Sequence, residues 1–225
     1  MGDANQYQFV LQQKDTLSGP FLEIGSRDYG STRNLRSLFP GETYIGVDLG
    51  MGNGVDKVLD LTLPFDSIDA ALGQQRFGAI FSFSVMEHCD QPFQMAENMT
   101  RLLRPGGKIV LSVPFAWKFH GYPSDYWRFT QAGIKKLFPG IDWDAGGPGC
   151  WHSPNKGDFR AIDESVGILS LSGKHYRRHG MPLRGIGLDI LKLLQLLGLY
   201  RWLFGNRYLL IPTMIDMVGT LREHR

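Results

Sequence analysis

Five short strand-like runs, most of them parted by a helix-length stretch, constrain this chain more than any other feature. They are PFLEIG (Pro20–Gly25), TYIGVDL (Thr43–Leu49), VDKVLDL (Val55–Leu61), AIFSFS (Ala79–Ser84) and KIVLSVP (Lys108–Pro114). Most are nearly continuous in apolar residues, which marks strands buried on both faces. Helices are expected over residues 5–17, 31–39, 65–74 and 91–104, with Ser18-Gly19-Pro20, Pro40-Gly41 and Pro105-Gly106-Gly107 as stops. Strand and helix in alternation require crossovers, hence a parallel sheet with helices on both sides. The expected fold class is α/β, doubly wound, with a mostly parallel seven-stranded sheet. IDWDAGG (Ile141–Gly147) is read as the sixth strand and Tyr208–Leu221 as an antiparallel seventh. Between them residues 148–207 are too long for a plain hairpin connection and are read as a helical insertion within one domain spanning 1–225.

Composition removes several classes. Of 225 residues, 43% are hydrophobic and 20% charged, enough for a packed core and too little charge for a disordered chain. A net charge of +2 argues against a chain-wide nucleic-acid footprint. Cys89 and Cys150 make no disulfide framework, and a reducing, cytoplasmic compartment is expected. The start of the chain has no signal-peptide core, and no apolar run suggests a membrane span. His152, His175 and His179 lack partnering cysteines or glutamates at ligand spacing, so they read as surface or pocket residues, and no metal is expected. Residues 171–225 carry 9 basic and 3 acidic side chains, a basic tail on an acidic body. That tail meets either an anionic surface or simply solvent.

Ligands of such sheets bind beyond the carboxyl ends of the strands. Gly25 leaves the first strand and allows close backbone approach, but the dinucleotide pattern G-x-G-x-x-G is absent, as is a P-loop. Asp48 ends the second strand, 23 residues beyond Gly25, where a carboxylate can accept both hydroxyls of a ribose. Asp60 ends the third and can accept from an exocyclic amine of a base. Either aspartate alone is also an ordinary turn or cap residue.

With FSFSVMEHCDQP after the fourth strand and RLLRPGGKIVLSVPF at the fifth, the order FLEIGSRDYG, YIGVDL, DLTLPF completes a set. Over about residues 15–140 it resembles the class I S-adenosylmethionine-dependent methyltransferases of the bacterial small-molecule type. The resemblance implies a Rossmann-like methyltransferase fold and S-adenosyl-L-methionine as cofactor. By position, it implies that Glu23 and Gly25 support and approach the methionine portion, with Ser26 and Arg27 in the same loop. Asp48 would bind the ribose hydroxyls, Leu49 would pack on the adenine, and Asp60 would meet its amino group with the Leu61 backbone beside it. Ser82, Phe83 and Ser84 would present carbonyls to the methionine ammonium. The methyl acceptor implied is a small molecule, apolar or glycosylated, methylated on a hydroxyl, an amine or a carbon.

Transfer from a sulfonium needs alignment and, for a hydroxyl, removal of its proton. His88 and His120 are the candidate bases, since imidazole titrates near neutrality. His88 either acts directly or braces its loop. The segment around His120 resembles the YPxDYWRFT stretch of a bacterial subset of the family. Tyr122, Asp125, Tyr126, Trp127 and Arg128 are its candidate substrate contacts. The alternative is structural, with Asp125 capping the next helix or pairing with Arg128, and Trp127 and Phe129 filling core. Two rival functions stay open: a cofactor-binding module without turnover, and a nicotinamide-dependent oxidoreductase. In Leu183–Phe204, Asp189, Lys192 and Gln195 recur at intervals of three and drift around a helix, leaving apolar residues over most of its circumference. A lid over the acceptor, a homodimer interface and a peripheral membrane contact are its three readings.

Overall fold

The computed structural model describes residues 4–30, 34–121, 124–145, 147, 149–153, 158–196, 198 and 207–222. Helix α1 (Ala4–Gln13) is followed by strand β1 (Phe21–Ile24), then β2 (Tyr44–Asp48) and β3 (Lys57–Val58). Helix α2 (Phe65–Ala71) leads to β4 (Phe77–Phe83), and α3 (Pro92–Leu102) to the long β5 (Leu103–Ala116). After α4 (Gln131–Leu137) come β6 (Ile141–Asp142), β7 (Cys150–His152) and β8 (Phe159–Ala161). The chain continues through β9 (Ile168–Ser170), α5 (Gly173–Arg178), α6 (Pro182–Leu196) and β10 (Tyr208–Leu210), and closes with β11 (Thr213–Leu221).

The order β3-β2-β1-β4-β5-β11-β7-β8 makes a nine-stranded sheet, with β6 also paired to β11. Pairings from β3 through β5 are parallel and β11 is antiparallel to β5, as the apolar patterning predicts. The expected seven strands become nine because Cys150–His152 and Phe159–Ala161 join the edge of this sheet. Within the expected helical insertion, residues 150–152 and 159–161 are therefore strands. The third strand contracts to Lys57–Val58, and the expected helix near 31–39 is a 3-10 turn at Leu35–Leu38 where described. Tyr208–Leu221 is two strands, not one: β10 pairs with β9 and β11 with β5. Pro212 stands at the break, and its missing N–H cannot continue a ladder.

One face of the sheet is an aromatic layer. Phe21 and Phe39 have ring centroids 4.2 Å apart, and Phe81 lies 5.7 Å from Phe21 and 5.8 Å from Phe39. Phe9 and Val10 of α1 and Val218 belong to the same buried cluster. Alternation sends Leu22, Ile80, Ile109 and Leu111 to the other face, all fully buried. At Gly78 any side chain would collide with backbone, because a Cβ there would stand 2.1 Å from the Ser18 carbonyl oxygen.

The chain divides into two compact units, Met1–Ile162 with Pro212–Arg225, and Asp163–Ile211. The second holds the β9–β10 pair and the helices α5 and α6. Those helices meet through Gly173 and Gly185, each so close to the other's carbonyl that a Cβ would clash. Arg177 pairs with Asp189 across the contact. Along α6, Leu183, Ile186, Ile190 and Leu193 form an exposed apolar stripe at helical spacing. The rest of Leu183–Phe204 beyond position 198 lies outside the described residues. No helix among the described residues is long and apolar enough to cross a membrane.

Candidate active site

At the carboxyl ends of β1 to β4 the first unit opens into a cavity of about 640 Å³. Each wall comes from a strand exit. Gly25 turns the chain out of β1 at φ +73°, a conformation natural to glycine. Its N–H and that of Ser26 both donate to the Val47 carbonyl, at 2.8 and 3.1 Å. Arg27 and Tyr29 follow at the cavity wall, the guanidinium 5.2 Å from the ring centre.

Asp48 and Asp60 both reach the cavity, and each is half used by its own turn. The Gly50 N–H donates to Asp48 Oδ1 at 3.0 Å. Asp60 Oδ1 accepts from the Thr62 N–H at 2.8 Å and from its hydroxyl at 2.7 Å. Each aspartate is thus a turn residue and still keeps Oδ2 for a ligand. Buried Asn98 of α3 donates to the carbonyls of Leu61 (2.8 Å) and Leu63 (2.9 Å), tying the Asp60 loop to a helix. The Leu61 carbonyl is thereby engaged. Leu49 is exposed at the rim, while Ile24, Leu59 and Met95 add apolar surface.

Past β4, Ser84 sits at φ +52° with its hydroxyl accepting from Gln6 Nε2 at 3.1 Å. The turn Met86–His88 brings His88 to the cavity and points its Nδ1 at the Ser124 carbonyl. Burial and the neighbouring His120 lower the His88 pKa, in that order of size, against the opposing pull of the Ser124 carbonyl. The two imidazoles meet edge to face, centroids 4.9 Å apart. Glu87 is 1% exposed, and burial pushes its carboxyl up to about 7.

The segment after β5 clamps this turn. The Tyr126 N–H donates to the Glu87 carbonyl and the Trp127 indole to the Cys89 carbonyl, both at 2.8 Å. The Asp125 side chain is 1% exposed, gripped by the Arg128 guanidinium and accepting from the His120 N–H at 2.8 Å. Arg128 holds its carboxyl well below the usual carboxylate range. The helix that follows is capped by Thr130, whose hydroxyl accepts from the Gly133 N–H at 3.1 Å. Of the two structural readings for Asp125, pairing with Arg128 is the one found. Tyr126 and Trp127 remain substantially exposed, as does Phe119 at 79%.

A family model described as a methyltransferase domain matches residues 6–144. The chain belongs to that family. Among solved structures, a SAM-dependent methyltransferase from Archaeoglobus fulgidus is 13% identical with a TM-score of 0.53, over 95% of this chain and 92% of that one. A Burkholderia thailandensis 1,6-didemethyltoxoflavin-N1-methyltransferase is also 13% identical, with a TM-score of 0.45 over 98% of this chain and 80% of the other. At such identity the first of these likenesses is one of fold. A search of curated proteins by sequence finds no match.

Within this methyltransferase domain, Gly25, Arg27, Asp48, Leu49, Asp60, Leu61, Ser84 and His88 line one cavity. Glu23, Ser26, Ser82 and Phe83 do not. Glu23 is half-buried on the aromatic face, where its Oε2 accepts from the Tyr44 hydroxyl at 2.6 Å. Ser26 and Ser82 are buried with hydroxyls lacking a partner among the described residues, and Phe83 belongs to the core. His120, Asp125, Tyr126, Trp127 and Arg128 gather beside the His88 turn, outside the cavity lining, and Tyr122 lies outside the described residues. Tyr29, Gly50, Thr62, Cys89, Asp90 and Met95 also line the methyltransferase cavity. Each neighbours a flagged strand end except Met95, and only its place on the helix after the fourth strand could have signalled it.

His152 is neither a surface nor a pocket residue. It is fully buried, with Nδ1 donating to Asp216 Oδ2 at 2.6 Å. Strand β7 turns it inward, onto a chain that runs from Asp216 to the Ser112 hydroxyl (2.6 Å) and on to Gln6 (2.9 Å). Gln6 ends this chain at Ser84, the cavity residue.

Proposed function

We propose that the chain transfers a methyl group from S-adenosylmethionine to a small-molecule acceptor. The observation that carries the reading is the cavity beyond four strand ends, with two half-free carboxylates and an imidazole on its walls. The residues fit the cofactor. A volume of about 640 Å³ suits a molecule of that size. Asp48 Oδ2 is available to the ribose diol and Asp60 Oδ2 to the adenine amine, with Leu49 and Met95 as apolar cover. Arg27 brings a cation to the methionine carboxylate. When bound, the cofactor supplies a methyl group already activated on a sulfonium.

The chain then has to hold the acceptor in line and manage its proton. His88, at the cavity, is the proposed acceptor of a hydroxyl proton, with its Nδ1 fixed by the Ser124 carbonyl so that Nε2 is free to take it. His120 stands beside it as the second candidate. Exposed Phe119, Tyr126 and Trp127 favour an acceptor with an apolar body. Liposome co-sedimentation that disappears in high salt would assign the exposed α6 stripe to a membrane surface.

Titration calorimetry with S-adenosylmethionine, S-adenosylhomocysteine and NAD tests the cofactor. Binding of the first two and not the third is expected. A preference for NAD would give the site to a nicotinamide enzyme. Mass spectrometry for the gain of one methyl across a panel of hydroxyl, amine and carbon acceptors then separates an enzyme from a binding module.

A further inference from the structure

Glu87, His88 and His120 stand closer together than methyl transfer by a single base requires. One potential ligand atom from each lies within 4.8 Å of the other two. Both histidines turn Nδ1 toward an acceptor. For His88 it is the Ser124 carbonyl; for His120 it is Asp125 Oδ2 at 3.2 Å and the Lys118 carbonyl at 3.3 Å. A carbonyl oxygen only accepts, so Nδ1 carries the hydrogen and Nε2 the lone pair. Metal-ligating histidines are held in this way, the second ring nitrogen donating to a carbonyl or carboxylate that sets tautomer and ring orientation. Glu87 adds an anionic donor whose Oε2 is buried without a hydrogen-bond partner among the described residues. A polar atom so placed is unfavourable unless something satisfies it. A cation would.

We propose that Glu87, His88 and His120 bind one divalent first-row transition ion at the His88 end of the cavity. Two imidazoles and a carboxylate suit Zn2+, Co2+, Mn2+ or Fe2+, whereas Mg2+ and Ca2+ prefer oxygen donors. With donors up to 4.8 Å apart, the three side chains have to close by about an ångström to share one ion at ordinary bond lengths, a movement open to a partly exposed His120. Three protein donors leave coordination positions open, as catalytic metal sites do. How the ion is used rests on the methyl-transfer reading; that it binds does not. An open position would take the acceptor oxygen, which selects a hydroxyl over an amine or a carbon. Coordination lowers the hydroxyl pKa, and its proton leaves to water. The oxygen lone pair forms the new O–C bond as the C–S pair returns to sulfur, releasing neutral S-adenosylhomocysteine. In the loaded protein the ion thus takes over the proton-releasing role otherwise assigned to the histidines.

The test is titration of the chelator-treated full chain with CoCl2, read by visible absorbance and calorimetry. We expect one equivalent of Co2+ to bind, displaced by Zn2+ and not by Mg2+. Glu87→Gln and His120→Gln should each weaken Co2+ binding by about tenfold or more, with affinity for S-adenosylmethionine unchanged. If Glu87→Gln does not fold, His120→Gln, whose side chain is 31% exposed, decides alone. Absence of Co2+ binding, or equal binding by His120→Gln and the parent, overturns the site. Co2+ binding that depends on these residues in a chain that ignores S-adenosylmethionine would leave the site standing and sink the methyl-transfer reading.

Discussion

Asp48 does two tasks with two oxygens. Oδ1 closes its own turn through the Gly50 N–H, and Oδ2 is left for a diol. Asp48→Ala is expected to weaken S-adenosylmethionine binding by about 1.5–3 kcal/mol, the range for hydrogen bonds to a charged group. Calorimetry on a variant with unchanged circular dichroism checks it, and unaltered affinity would remove the ribose role. Glu23 is the opposite case, a carboxyl given to the interior. Burial raises its pKa, opposed chiefly by the Tyr44 hydrogen bond. Folding stability from this group is therefore full below the unfolded pKa of about 4.3 and falls as pH rises through the higher folded value. Glu23→Gln keeps an acceptor for Tyr44 without the charge. Its melting temperature should exceed the parent's at neutral pH and lose that advantage in acid; the same difference at both would refute the burial argument. For the chemistry, His88→Ala and His120→Ala should each reduce turnover by about a hundredfold or more while S-adenosylmethionine still binds. Normal turnover in both would make catalysis a matter of alignment alone.

The loop after β3 depends on an element far from it in sequence. Asn98 on α3 reaches 37 residues back to the Leu61 carbonyl and 35 back to that of Leu63. Removing its amide leaves two carbonyls, those of buried Leu61 and of Leu63, without that donor. Asn98→Ala should therefore lower stability by about 1–3 kcal/mol and loosen the adenine end of the cavity as well. Denaturant unfolding reads the first effect and calorimetry the second; a variant as stable as the parent would mean the loop holds itself. On the neighbouring turn, Trp127 and Tyr126 do for His88 what Asn98 does for Asp60. Both pin a strand exit by a bond to its backbone, which is why residues 124–130 sit beside the site without lining the cavity.

At the scale of the whole molecule, the polar chain Ser84–Gln6–Ser112–Asp216–His152 spans elements from α1 to β11. The His152 and Asp216 side chains are both fully buried, so their hydrogen bond is shielded from water. Removing the imidazole takes one donor from buried Asp216, which keeps the Ser112 hydroxyl, and leaves a void beside it, a loss of about 1–3 kcal/mol. His152→Ala should lower the unfolding midpoint accordingly and increase hydrogen exchange along β7 and β11. A midpoint within error of the parent would show that the pair is not needed. The doubly wound sheet, the strand exits and the place of Asp48, Asp60 and His88 were all legible in the chain, since the two aspartates end local apolar runs and His88 follows the run Ala79–Ser84. Residues 150–152 and 159–161 were not legible as strands, because strands of three residues carry too little pattern to separate from loop. Nor was the inward turn of His152, which depends on Asp216 standing 64 positions away. The same holds for Glu23. Its neighbours in sequence suggest a ligand contact, whereas alternation along a four-residue strand turns it toward Tyr44. Sequence by itself determined the periodicity, and with it the architecture and the edge of the sheet where a ligand binds. Tertiary structure alone decided which polar residues at that edge meet one another, because side-chain pairing across elements is a property of register and packing and leaves no local trace.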